Sequence, residues 1–340
     1  MENMFNFDRD RFLRIQNGAI GLKDELDVVI DEVVTKGIKN VFFVGTGGAA
    51  ILMYAAEHIL KNRSTLPAFT EISSELMVTN HQHLGEQSLV ILPSLSGTTK
   101  ETVEVANFCK EKGATTICLV GHANTALTEV TDYSFVNFAE DDTSCESFYL
   151  QSFLIAFRLM YKRQEFPEYH QWMEELKLLP AALLKVKEAT EIRAKEFAKK
   201  HKETPYHILS GAGIDWGQTY YYAMCILEEM QWIKTRPVHA SDFFHGTLEL
   251  VESDTSILLL KGEGSVRSLT DRVERFANHF SKELTVFDTK DYPLDGISEP
   301  FRPFVSPIVL ATLLERISCH LEEVRNHPLT TRRYYKKVPF

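Results

Sequence analysis

Residues 39–62 read KNVFFVGTGGAAILMYAAEHILKN: an apolar run of strand length that ends in Thr46-Gly47-Gly48 and passes directly into a helical stretch. A run without polar alternation fits a strand buried on both faces, and a glycine turn that carries it into a helix is the repeating unit of a parallel α/β sheet. The arrangement returns at QSLVILPS (87–94), followed by Leu95-Ser96-Gly97-Thr98-Thr99, the helical KETVEVANFCKEKG and a further strand, ATTICLVG, at 114–121.

The second half of the chain repeats this order. YHILSGAGIDWGQTYYYAMCILEEM (206–230) mirrors the first strand, glycine turn and helix, and TSILLLKGEGSVRSLTDRVERFANHFSKELTVFD (255–288) mirrors the stretch that begins at Gln87. Gly47 and Ser96 are 49 residues apart and Gly211 and Glu263 are 52 apart, so spacing is kept as well as order. The expected architecture is α/β, with two tandem subdomains, each a doubly wound, flavodoxin-like parallel sheet flanked by helices. The boundaries read as an N-terminal helical segment (1–35), a first, phosphate-binding subdomain (36–165), a helical linker (166–202), a second subdomain (203–325) and a C-terminal tail (326–340).

Composition narrows the class of function. A 340-residue chain that is 44% hydrophobic and 25% charged can bury a full core. With 37 basic against 47 acidic residues, a net charge of −10 and no long basic run, neither a nucleic-acid nor a membrane partner is expected. A small anion has to be held by local groups. Five cysteines, odd in number, widely spaced and free of any CxxC pair, read as reduced thiols. The charged N-terminus lacks an apolar signal region and no 18-residue apolar run is evident, so a soluble cytoplasmic protein is expected.

The loop SLSGTT gathers hydroxyls at Ser94, Ser96, Thr98 and Thr99, a glycine that permits close backbone approach, and a helix start whose N–H groups favour anions. Thr98-x-x-Glu101 fits a capping box, so the competing reading is a capped turn. The repeat separates the two. At the matching place the second half has Lys261-Gly262-Glu263-Gly264, where Glu263 repels a phosphate and the serine hydroxyls have no counterpart.

Residues 227–250, LEEMQWIKTRPVHASDFFHGTLEL, concentrate acid–base groups. Glu229 falls near the end of an apolar, aromatic helix, QTYYYAMCILEEMQWI, that Pro237 prevents from running much further. Neighbours on an α-helix point about 100° apart, so Glu228 and Glu229 are not expected to share a site. A carboxylate in partly apolar surroundings becomes a proton acceptor near neutrality. His245 is a candidate second proton-transfer group, the alternative being a satisfied structural histidine. His239, Asp242, His245 and Glu249 also carry metal-ligand chemistry, but Gly246 and Phe243-Phe244 argue against the regular helix that would align them. No metal and no organic cofactor is expected.

The glycine turn, SLSGTT, ILEEMQWI, HASDFFHGTLEL and the ending RNHPLTTRRYYKKVPF together resemble the sugar isomerase (SIS) domain family, above all its deglycases of 6-phosphorylated fructosamines. The likeness extends more distantly to the isomerase half of glucosamine-6-phosphate synthases. It implies that Ser94, Ser96 and Thr99, with Thr98 beside them, hold a sugar phosphate. It further implies Glu229 and His245, sixteen residues apart, as the catalytic pair, with Gly47, Gly48 and Asp242 as further substrate contacts. In the family the histidine reaches the site from a neighbouring subunit, which implies a homodimer or higher homo-oligomer with shared sites. The implied reaction is hydrolysis of a ketosamine 6-phosphate to glucose 6-phosphate and a free amino acid. A glucoselysine-type substrate, an aldose–ketose isomerase and a non-enzymatic phosphosugar sensor are the alternatives. The chain departs from the family's G-E-F-F-H-G at Ala240 and Asp242, and at Thr46 and Ala49 in the first turn, which bears on sugar and amine preference. The basic tail residues Arg332, Arg333, Lys336 and Lys337 either close over the site or face solvent.

Overall fold

Among the described residues every strand pair is parallel, as buried strands without alternation require. The computed structural model describes residues 4–141, 144–335 and 337–338. They fall into two compact units, one within Arg9–Pro180 and one within Ala181–Phe340 together with Met1–Asp8. The division lies inside the stretch read as a linker, where Tyr169–Leu176 and Leu179–His201 are helical.

In the first unit β1 (Asn40–Gly45), β2 (Ala68–Ile72), β3 (Ser88–Ser94), β4 (Thr115–Val120) and β5 (Tyr133–Val136) form one sheet in the order β2-β1-β3-β4-β5. β1 and β3 are buried at every position. Phe42, Val44, Val90 and Leu92 pack with Val105, Ala106 and Cys109 of the helix Lys100–Glu111. Burying each large apolar side chain in this layer contributes roughly 1.5–3 kcal/mol. The helix Glu146–Lys162 packs against Arg9–Gly21, Lys23–Thr35 and Tyr54–Arg63.

The second unit has β6 (Tyr206–Gly211), β7 (Lys234–His239), β8 (Ser256–Lys261) and β9 (Leu284–Asp288) in the order β7-β6-β8-β9. Strand for strand this is the order of β1 to β4. In both sheets the second strand lies to one side of the first and the third to the other. The loops after the first and third strands therefore leave at the point where the strand order reverses, the usual ligand crevice of open parallel sheets.

Two readings of the sequence are corrected here. The helix expected to run through QTYYYAMCILEEMQWI stops at Glu228, and Lys234–His239 is a strand. Its Pro237 pairs opposite Leu209 at the sheet edge, where a missing N–H donor is tolerated. Second, the helix Arg302–Arg325 does contain an 18-residue apolar window long enough to cross a membrane, and 94% of that window is buried within the protein. The length is explained by burial on all sides. The fully buried guanidinium of Arg316 on this helix is held by Glu191 at 2.7 Å, by Glu315 and by the Phe5 carbonyl.

Candidate active site

The loop after β3 is built to offer donors. Ser94 is buried, and its Oγ accepts the Gly97 N–H at 3.1 Å. Ser96 Oγ accepts the N–H of Thr98 at 3.3 Å and the Thr98 hydroxyl at 3.1 Å. Gly97 sits at φ +61°, and a Cβ there would lie 2.2 Å from Thr125 Oγ1. Only glycine lets the loop turn this tightly against that threonine. The expected capping box is not formed: the helix starts at Lys100, its N-cap is Thr99, and the Thr99 side chain makes no cap hydrogen bond. Thr98 stands one residue too early to cap. The Thr99 hydroxyl is thus not consumed by the helix, and the first N–H groups of this twelve-residue helix have no side-chain cap.

The turn after β1 lies beside this loop, since β1 and β3 are paired neighbours. Gly47 there is exposed at φ +59° and precedes the short helix Gly48–Leu52; Gly48 is half-buried.

The equivalent crevice of the second unit is filled by the protein itself. The Glu263 carboxylate accepts from Arg302, 2.7 Å to Nη2 and 2.9 Å to Nε, and both side chains are largely buried. Asp215, after β6, is buried against Gly262, where an added Cβ would meet its Oδ2 at 2.0 Å. Burial, and then the nearby Glu263 and Asp288, raise the Asp215 pKa well above its ordinary value, against the opposing pull of Arg267.

Glu229 lies elsewhere in the second unit. The chain from Tyr222 to Glu228 is a π-helix, a form concentrated at functional sites. The N–H of Glu229 donates to Met224 and that of Gln231 to Ile226, each five residues back. This wider winding and the helix end just beyond it bring Glu228 and Glu229 to one cleft of about 560 Å³, contrary to the α-helical expectation that only one of them faces it. The surroundings of Glu229 also differ from those expected. Its carboxylate is half-buried and sits 2.8 Å from Arg332 Nε, an ion pair where partly apolar surroundings were expected.

The opposite wall comes from the tail. Arg333 lies over the Trp232 ring at 4.1 Å, and Trp232 meets His327 edge-on at 4.5 Å. Trp232 holds a left-handed backbone, φ +55°, which a bulky side chain adopts only when its neighbours hold it there. They do: Gln231 Nε2 donates to the His327 carbonyl at 2.8 Å, and Arg325 donates to the Gln231 carbonyl at 3.3 Å. Of the four basic tail residues, Arg332 and Arg333 line the cleft, Lys337 is exposed, and Lys336 lies outside the described residues.

His245 is exposed on the single turn Phe243–His245 and is not among the residues that line this cleft. Phe243 is buried and Phe244 packs on Phe276 at 5.7 Å, so the two aromatics anchor the turn and present the histidine outward. Asp242 is also exposed; its carbonyl accepts the His245 N–H at 2.9 Å. His239 faces Trp216 at 5.6 Å, and among the described residues no group of three or more His, Cys, Asp and Glu side chains gathers as a metal would require.

Two parallel sheets with one strand order, flanked by helices, match a known class. Residues 36–160 fit the SIS domain family, and the chain belongs to it. Fructosamine deglycase FrlB of Bacillus subtilis (strain 168) is 31% identical over 318 residues, 93% of this chain and 97% of that one. Fructoselysine 6-phosphate deglycase of Escherichia coli (strain K12) is 23% identical over 90% of this chain and 88% of its own. A Bacillus subtilis crystal structure assigned to the phosphosugar isomerases superposes with a TM-score of 0.89 at 31% identity, covering 95% of this chain and 99% of that one.

Proposed function

We propose that the protein is a deglycase that hydrolyses a ketosamine 6-phosphate, such as fructoselysine 6-phosphate, to glucose 6-phosphate and the free amino acid. The observation that carries this reading is Glu229, a carboxylate at the end of a π-helix in a cleft whose other wall is cationic and aromatic. Ser94, Ser96, Thr98 and Thr99 bind the phosphate through their hydroxyls and the helix start, and the energy of that contact orients C1 and C2. Glu229 removes a proton from C1 to give an enaminol, and the proton returns at C2 to leave an imine at C1. Water adds to the imine and expels the amine. The substrate's own carbonyl acidifies the C–H bond, so the chain needs neither metal nor organic cofactor for this step.

His245 assists ring opening or carries protons to the sugar oxygen. Its exposure, and its absence from the cleft's lining, support the reading that it serves a neighbouring subunit in a homodimer or larger homo-oligomer. The aldose–ketose isomerase reading uses the same enolisation; the cationic cleft beyond Glu229 favours a substrate that carries an amino acid. The test is product analysis. Equimolar glucose 6-phosphate and lysine from fructoselysine 6-phosphate is expected. Interconversion of hexose 6-phosphates with no action on the ketosamine would overturn it.

A further inference from the structure

Gln231, two residues beyond Glu229, is fully buried, and its amide reaches across 96 residues of chain, Nε2 donating to the His327 carbonyl at 2.8 Å. Its Oε1 is buried as well and has no hydrogen-bond partner among the described residues. A half-satisfied buried amide costs folding free energy, and an apolar side chain of the same length would fill the space without that cost. Packing alone therefore does not account for a glutamine here. The bond to His327 does, and it fastens the start of the segment whose Arg332, Arg333, Tyr334 and Tyr335 line the Glu229 cleft.

Beyond that point the tail is braced on itself and on the long helix Arg302–Arg325. The His327 N–H donates to the Glu322 carbonyl at 3.1 Å and the Leu329 N–H to the Glu322 carboxylate at 3.0 Å. Arg332 Nη1 donates to the carbonyls of Leu329 at 2.6 Å and Thr331 at 3.0 Å, so a shift at His327 is carried on to Arg332. Trp232 ties the same fastening to the helix end, because its left-handed backbone is held while its ring meets His327 and Arg333. We propose that Gln231 is a positioning residue for the reaction: by holding the His327 carbonyl it seats residues 327–335 as a wall of the cleft and keeps Trp232 in the conformation that shapes it. The inference rests on the deglycase reading and deepens it, since turnover comes to depend on a buried side chain outside the cleft's lining.

The experiment compares wild type with Gln231→Met, which keeps the length and loses the donor, and Gln231→Asn, which keeps the amide and loses the reach. Turnover of fructoselysine 6-phosphate, glucose 6-phosphate affinity, urea unfolding and hydrogen exchange of residues 327–335 are read for each. Both variants are expected to lower kcat by about 10- to 100-fold, the effect of a small misplacement in a site. Exchange of residues 327–335 is expected to quicken roughly tenfold, as for one lost hydrogen bond, with glucose 6-phosphate affinity and the unfolding midpoint of Gln231→Met unchanged. Wild-type kcat in either variant overturns the proposal, and so does a lowered kcat with the tail's exchange unaltered. A merely structural glutamine would speed exchange throughout its unit and lower the unfolding midpoint of both variants, or prevent both from folding; each of these results overturns the proposal and leaves the deglycase reading standing. Failure of wild type to release glucose 6-phosphate overturns both.

Discussion

The crevices of the two units make the most instructive contrast in the molecule. Both lie where the strand order reverses, after the first and third strands of sheets with the same order. In the first unit the loop after the third strand presents serine and threonine hydroxyls and an uncapped helix start. In the second, Glu263 and Arg302 neutralise each other and Asp215 packs against Gly262. The same architecture thus leaves hydroxyls and a helix start open in one copy and fills the matching place with the chain's own ion pair in the other. Fold alone does not decide which loop binds; the side chains set on it do.

That contrast breaks most readily at the ion pair. Glu263→Ala leaves the largely buried Arg302 without its carboxylate and is expected to destabilise the second unit by about 3–5 kcal/mol. Phosphate affinity is expected to stay unchanged, with urea unfolding and calorimetry as the readouts. The two glycines give the next largest effects. Gly262→Ala drives a Cβ to 2.0 Å from Asp215 and is expected to lower stability by about 1–3 kcal/mol without touching phosphate binding. Gly97→Ala combines a clash at Thr125 with a left-handed backbone and is expected to abolish measurable phosphosugar binding as well. Equal effects of the two glycine variants on binding would contradict the assignment of the site to the first unit. Ser96→Ala is expected to weaken glucose 6-phosphate binding about tenfold in a titration, with unfolding unchanged.

At neutral pH the smallest change, though one that grows on acidification, is a pH dependence housed in the second unit. Burial, then His201 and Arg325, hold the His207 pKa down to about 3, against 6.5 for an ordinary histidine. As pH falls below 6.5 the unfolded chain gains a proton that the folded chain refuses. Stability contributed by the neutral ring is therefore full above 6.5 and declines towards pH 3 by up to about 1.4 kcal/mol per pH unit. Asp215 acts with the opposite sign. Its raised pKa means that the unfolded chain loses a proton above the ordinary value of 3.8 while the folded chain keeps it, so stability falls as pH rises through that window. His207→Asn and Asp215→Asn are each expected to remove one of these slopes from unfolding midpoints measured across the range.

Much of this was readable in the residues, for physical reasons. Buried parallel strands have to be apolar throughout, so KNVFFVG, QSLVILPS and TSILLLK announced themselves. β7 did not, because an edge strand carries polar residues and tolerates proline, and KTRPVH reads as a loop. The SLSGTT hydroxyls were legible as donors, but the helix start lies one residue past the expected cap, a boundary that local propensity does not fix. The helix alone left Glu228 and Glu229 as alternatives, and it was the resemblance to the SIS family, whose glutamate lies sixteen residues before its histidine, that singled out Glu229. The π-turn that brings Glu228 to the same cleft, and the pairing with Arg332 across 103 residues of chain, depend on tertiary packing that no local pattern encodes. The repeated arginines in NHPLTTRRY were the one available signal for the tail, and they did not say what they faced.

The most direct test of the account is release of glucose 6-phosphate from fructoselysine 6-phosphate, read through a coupled dehydrogenase, by wild type and Glu229→Gln together. The account predicts release by wild type and a fall of about 10²- to 10⁴-fold in the variant, with phosphosugar affinity retained. Undiminished turnover by Glu229→Gln would contradict it.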